Sequence, residues 1–158
     1  EAGYASALTL RLRVPTLPYG PPIAKLIAAQ LRAVGIEVSV EELDFSTWLS
    51  QVYTQHDYDM TVVAHVEPWD LPQFANPNFY WKYNNPQFAE LINKADAAPT
   101  NTEQETILKE AAKLLADDAA ADWLFLLPNL VVTTTEISGI TTNATGLSFD
   151  MTHVATSR

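Results

Sequence analysis

Residues 8–43 read LTLRLRVPTLPYGPPIAKLIAAQLRAVGIEVSVEEL. Leu8 to Val14 alternates apolar and polar residues, so Leu8, Leu10, Leu12 and Val14 share one face, as in a half-buried strand. Pro15 to Pro22 is dense in breakers and reads as a loop. Its Tyr19 and Gly20 follow a strand end and are candidate ligand contacts, although a stiff connector is the simpler reading. From Ile23 to Val34 the period becomes helical, through Ile23, Leu26, Ile27, Leu31 and Val34. Pro22 suits a first helical turn, and Gly35 suits a left-handed stop. Ile36 to Leu43 returns to period two through Ile36, Val38 and Val40. A strand–helix–strand unit with joints this short predicts two parallel strands and a right-handed crossover. The expected class is therefore α/β, with a mostly parallel sheet.

Further along, Asp44 or Ser46 caps a helix whose buried side carries Phe45, Trp48, Leu49 and Val52. A Trp at helical spacing is expected in the core rather than as a ligand platform. Gln55 to Asp57 forms a turn. Met60 to Ala64 is an unbroken apolar run, which predicts a third strand covered on both faces at the centre of the sheet. Past it, His65 to Asn85 holds Pro68, Pro72 and Pro77 and exceeds a routine connection, and long ordered loops are usually functional. His65, Glu67, Trp69, Asp70, Phe74, Phe79, Tyr80 and Trp81 crowd into it. The segment beyond the end of a parallel strand is where an open α/β sheet places its ligand.

Asn84-Asn85-Pro86 opens a helix with Phe88, Leu91, Ile92 and Ala95 on its apolar stripe, and Pro99 ends it. Thr102 with Glu105 has capping-box spacing for a longer helix, with Ile107, Leu108, Ala111, Leu114, Leu115 and Ala119 facing inward. Asp117, Asp118 and Asp122 are expected in solvent, stopping that helix near Trp123. Leu130 to Thr135 is β-branched and strand-like, and Leu147 to Val154 suits a last strand.

The chain has 158 residues and a net charge of −10, which argues against nucleic acid as a partner, since phosphate binding needs an excess of Lys and Arg. It has no Cys, so disulfides and thiolate metal sites are excluded. No apolar run approaches the roughly 20 residues of a membrane-spanning helix. The start, Glu1 to Ala7, carries neither an initiator Met nor a charged leader, and the expectation is a fragment of a longer protein.

Chemical motifs are sparse. His56, His65 and His153 lack metal-ligand spacing, and HExxH, P-loop, GxGxxG and GxSxG patterns are missing. A metal at His65–Glu67–Asp70, or a hydrolase using Glu67 and Asp70 as paired carboxylates, is conceivable but secondary. The sequence calls for no cofactor, no metal and no catalysis. Asn143-Ala144-Thr145 matches a glycosylation triplet of the kind that arises by chance.

Taken together, several pieces resemble the solute-binding proteins of ABC importers in the peptide, oligopeptide and nickel class (family 5 extracellular solute-binding proteins). They are Glu1-Ala2-Gly3-Tyr4 followed by Leu8-Thr9-Leu10-Arg11-Leu12, then Ile27 to Val38 (IAAQLRAVGIEV), Asp44, Trp48, Tyr58-Asp59-Met60, Asp70 to Phe74, Ala111-Ala112 with Leu114, and Ile137-Ser138-Gly139. Their order and spacing match the C-terminal lobe of that family and cover most of the chain.

The resemblance implies a periplasmic-binding-protein-like lobe of type II, with helices on both sheet faces and extra antiparallel strands near the C-terminus. Residues 1–158 would be one lobe of a two-lobe protein, with 136–158 belonging to the hinge or the other lobe. A small peptide or other solute would be caught between this lobe and the missing N-terminal lobe as they close about a hinge. The protein would be extracytoplasmic, anchored as a lipoprotein, and would deliver its solute to an ABC permease in the membrane; the alternatives are a sugar- or metal-chelate-binding protein of the same family, or a ligand-sensing domain. In peptide-binding relatives, an acid three residues before an Asp, with a Phe four further on, holds the peptide α-ammonium. Asp70 and Phe74 keep that spacing and Glu67 stands at the acid, so the resemblance makes Glu67 the ammonium partner. It departs from the pattern in having Glu for Asp, and Leu71 where a Pro usually follows. Candidate ligand residues are Glu67, Trp69, His65, Asp70, Tyr80 and Trp81. Trp69, Tyr80 and Trp81 would supply stacking or cation–π contacts; for Asp70, shaping the loop by capping a turn is the favoured role.

Overall fold

The computed structural model describes residues 8–67, 69–128, 130–141 and 150–157. Glu1 to Tyr4, the Asn143–Thr145 triplet and residues 147–149 of the expected last strand lie outside the described residues. The chain forms two compact units, Glu1–Ala64 and His65–Arg158, taken here in turn.

The first unit is the predicted strand–helix–strand. β1 (Leu8–Pro15) pairs in parallel with β2 (Ile36–Leu43), in register from Leu8 against Ile36 to Pro15 against Leu43. β3 (Met60–Thr61) pairs in parallel with the other side of β1, giving the order β2-β1-β3. The centre of the described sheet is therefore β1, not the Met60–Ala64 run, and β3 is short and half-buried. Pro15 accounts for the short pairing. The Thr16 N–H donates to the Leu43 carbonyl of β2. Strand alternation turns the Pro15 nitrogen toward β3, where it has no hydrogen to extend the ladder. The Ala64 N–H instead donates to the Tyr19 hydroxyl, 2.9 Å away.

α1 (Gly20–Ala33) starts three residues earlier than its apolar period predicts, with Pro21 and Pro22 in the first turn, where their missing N–H groups leave no gap. Gly20 is required by a close approach: a Cβ there would lie 2.3 Å from the Pro15 carbonyl oxygen. The helix ends as expected, Gly35 adopting φ +84°. Ala24 of α1 packs on Leu12 and Val14, with Ile27, Val38, Val40, Met60 and Val62 around them.

Of the two proposed caps for the next helix, Asp44 serves. Its carboxylate accepts from the Thr47 N–H and from the Ser46 and Thr47 hydroxyls, which hold it down at about 2. α2 (Phe45–Trp48) runs directly into a π-helical turn, Leu49–Thr54. Trp48 and Val52 are buried, whereas Phe45 and Leu49 stay exposed. The Trp48 indole donates to Thr61 Oγ1, whose hydroxyl donates to the Arg13 carbonyl, so Trp48 is a core residue as expected.

Strand alternation predicts Arg13 in solvent, yet it is only 9% exposed. Its guanidinium donates to Glu41 Oε2 (2.7 Å), the Asp57 carbonyl and Oδ2 (2.8 and 2.9 Å), and Gln51 Oε1 (2.8 Å). A buried cation stands only where such a set surrounds it.

The second unit is built on two helices. α3 (Pro86–Asp96) is capped by Asn85, whose side chain accepts from the Gln87 and Phe88 N–H groups. α4 (Asn101–Asp117) is capped by Thr100, which accepts from the Glu103 N–H, so the cap sits two residues before the expected Thr102. Thr100-x-x-Glu103 has the same spacing, and Thr102 is already helical. Phe88, Leu91 and Ile92 of α3 pack against Ala111 and Leu115 of α4 and against Phe74. Fully burying a side chain such as Phe88 contributes about 2–3 kcal/mol.

α4 ends at Asp117, before Trp123, and Ala119 takes φ +51°. Asp118 is not merely solvated: it accepts from the Tyr83 hydroxyl (2.6 Å) and the Asn85 side-chain amide (2.7 Å), which tie the end of α4 to the start of α3. Those bonds lower the Asp118 pKa, while Tyr83 is pushed up to about 12, chiefly by desolvation. β4 (Ile137–Ser138) pairs antiparallel with β5 (Ala155–Thr156). The strand expected over Leu130–Thr135 does not form. Its β-branched residues are exposed and no ladder runs along it among the described residues, and propensity without a partner strand makes no sheet.

Candidate functional site

The predicted site residues fall in the segment that opens the second unit. Asp70 precedes a 3₁₀ turn, Leu71–Ala75, which brings Phe74 inward. Pro72 lies in the first positions of that turn and sets its start. Asp70 makes no side-chain cap to the turn, so the loop-capping role expected of it is not what the structure shows. Its carboxylate goes to a histidine: Asp70 Oδ2 lies 2.7 Å from His65 Nδ1. This is ion-pair distance without hydrogen-bond alignment, and that oxygen is shielded from water with no aligned donor among the described residues.

His65 organises the cluster. On one edge of its ring, Nδ1 faces Asp70 and, at 3.9 Å, Glu67 Oε2. On the other edge, Nε2 is 2.8 Å from the Tyr80 hydroxyl, with the two rings nearly parallel at 7°. Trp81 lies against the same imidazole, ring centres 5.5 Å apart, and stacks on Phe74 at 4.0 Å. Phe79 and Tyr80 touch Trp81 in turn, so a continuous aromatic wall backs the polar groups. The Trp81 Nε1 is buried without an acceptor among the described residues. Glu67 is exposed, and its Oε2 accepts from the Val66 N–H at 3.1 Å.

Five of the six candidates (His65, Glu67, Asp70, Tyr80 and Trp81) are thus brought together, and Trp69 is 72% exposed. Tyr19, Gly20 and Trp48 belong to the first unit, where they have the structural roles given above. The bond from Tyr80 to His65 joins residues fifteen apart and has no signature in the sequence spacing. The arrangement offers a carboxylate pair and an imidazole against an aromatic surface. It suits a cationic group or metal ion, and His65, Glu67 and Asp70 each place one donor atom within 4.8 Å of the others.

No family model matches the sequence, and no curated relative does. Solved structures do match. The dipeptide-binding protein from Pseudoalteromonas sp. SM9913, in complex with Met-Leu, aligns over 99% of this chain and 34% of its own, at 15% identity and a TM-score of 0.68. The oligopeptide-binding protein AppA from Bacillus subtilis, in complex with a nonapeptide, aligns over 76% of this chain and 27% of its own, at 17% identity and a TM-score of 0.65. The ABC transporter-associated periplasmic binding protein DppA from Helicobacter pylori, in complex with peptide STSA, aligns over 75% and 25%, at 22% identity and a TM-score of 0.62. The fold is that of a solute-binding-protein lobe. The lobe fold carries the expected α/β class: a three-stranded parallel sheet, helices and a small antiparallel pair. This chain spans a quarter to a third of the length of the structures it matches. None of its described helices is long and apolar enough to cross a membrane.

Proposed function

We propose that this chain is a lobe of an extracytoplasmic solute-binding protein that captures small peptides and passes them to an ABC permease in the membrane, without catalysis. The observation that carries this reading is Glu67: an exposed carboxylate beside His65 and Asp70, backed by the Tyr80–Trp81 wall, in a fold of which several solved examples hold peptides. A peptide α-ammonium has three donors and is best held by charge-assisted bonds to an acid. Glu67 would supply that acid, and the aromatic wall would shield the pair from water and face the first side chains of the peptide. In this reading a second lobe contributes the remaining contacts, and residues 136–158 belong to the hinge or to that lobe.

The test is a thermal-shift screen of the intact protein against dipeptides, longer peptides, sugars and metal chelates. A ligand that binds only the folded state raises the melting temperature. Peptides should raise it, and capping the peptide amine by acetylation should reduce the effect. A rise with sugars or chelates alone would replace the peptide reading with another solute.

A further inference from the structure

We propose that His65, Glu67 and Asp70 form a binding site for a borderline divalent cation such as Zn2+. The sequence spacing does not suggest it, but the geometry brings one imidazole nitrogen and two carboxylate oxygens within 4.8 Å of one another. Zn2+ bonds of about 2.0–2.2 Å place donors roughly 3.3 Å apart. His65 Nδ1 is 2.7 Å from Asp70 and 3.9 Å from Glu67, so the first pair opens slightly and the second closes slightly around an ion. Glu67, exposed and long, makes the larger movement.

Two further observations point to a ligand. Asp70 Oδ2 is withdrawn from water, and among the described residues its contact is His65 Nδ1 at 2.7 Å without hydrogen-bond alignment, an arrangement that an ion between the two would satisfy. His65 also has the outer partner of a metal ligand. Tyr80 engages Nε2 at 2.8 Å, which fixes the ring with Nδ1 toward the carboxylates. A nitrogen and two oxygens, in a chain without thiols, select borderline ions over soft ones. Three protein ligands leave a fourth position for water or for a donor of a bound solute.

The site shares Glu67 with the proposed ammonium contact but does not depend on it. The experiment strips the protein with EDTA, removes the chelator and titrates ZnCl2 by calorimetry. One ion should bind per chain. His65→Ala, Asp70→Asn and Glu67→Gln should each weaken binding about 10–100-fold, and Tyr80→Phe should weaken it about ten-fold. Co2+ should give a visible absorption spectrum that His65→Ala alters. Glu67→Gln changes an exposed side chain, so it keeps the test valid if a buried variant fails to fold, which far-UV circular dichroism reveals. Absence of Zn2+ binding overturns the proposal, as does binding unchanged in Glu67→Gln together with an unaltered Co2+ spectrum in His65→Ala. Peptide binding in excess EDTA, with no Zn2+ binding, overturns this inference and leaves the peptide reading standing. Zn2+ binding without any peptide response does the reverse.

Discussion

Phe74 and Trp81 lie face to face, ring centres 4.0 Å apart and planes within 10° of parallel. One belongs to the 3₁₀ turn and the other to the end of the aromatic run, so their stack closes the candidate loop on itself. Phe74 also meets the ring edges of Tyr83 and Phe88, which fastens the loop to α3. Phe74→Ala should therefore destabilise the second unit by about 3–5 kcal/mol. Urea unfolding followed by tryptophan fluorescence measures it. A loss below about 1 kcal/mol would show that the stack does not hold the loop.

In the first unit, acid should act through Asp57. The Arg11 guanidinium donates to its carboxylate at 2.8 Å, and that bond, with the charges of Arg11 and Arg13, holds Asp57 below the usual carboxylate range. A carboxylate depressed in the folded state stabilises fully above its ordinary range, and the contribution fades as pH falls through the folded value. Arg11→Gln should thus be less stable than the parent above pH ~5, with the gap narrowing below pH ~4. Denaturant midpoints measured above and below those limits check the sign. A gap that widens in acid would exclude Asp57 as the cause.

Gly20 and Gly35 should fail for different reasons when replaced. At Gly20 a Cβ meets backbone, the Pro15 carbonyl oxygen at 2.3 Å, so Gly20→Ala must move β1 or the start of α1. At Gly35 there is open space, and only the positive φ resists a side chain. Gly35→Ala should cost about 1–2 kcal/mol and Gly20→Ala more. Gly35→Asn should recover part of the loss, because Asn tolerates the left-handed region, whereas Gly20→Asn should recover none. Thermal melts of the four variants separate the two causes.

The elements that sequence periodicity revealed are those whose burial is set locally. β1, α1 and β2 follow from alternation, helical spacing and Gly35, because each presents one apolar face to its neighbour. What depended on distant partners was hidden. Arg13 looks like an outward residue of a strand, and only Glu41, Gln51 and Asp57 together make its burial tolerable. The apolar run at Met60–Ala64 suggests a central strand, but the missing N–H of Pro15 truncates its pairing. At the site, the residue types and their crowding were legible, whereas the inward turn of Asp70 toward His65 was not. An Asp before a short turn reads as a cap, and only the position of the imidazole reveals the alternative.

Glu67 and Trp69 provide the most direct test of how the loop would meet a peptide. They are two residues apart, both exposed, and they offer different forces. A charge-assisted bond to an ammonium contributes about 1.5–3 kcal/mol, so Glu67→Gln in the intact protein should weaken peptide affinity about ten-fold to a hundred-fold. That loss should disappear for a peptide with an acetylated amine, which has no charge to hold. Trp69 offers surface rather than charge. Trp69→Ala should weaken free and acetylated peptides by the same factor, since stacking is indifferent to the terminal charge. Calorimetry with both peptides on both variants gives four affinities. Equal losses from Glu67→Gln on the free and acetylated peptides would remove Glu67 as the ammonium partner and leave it a residue that shapes the loop.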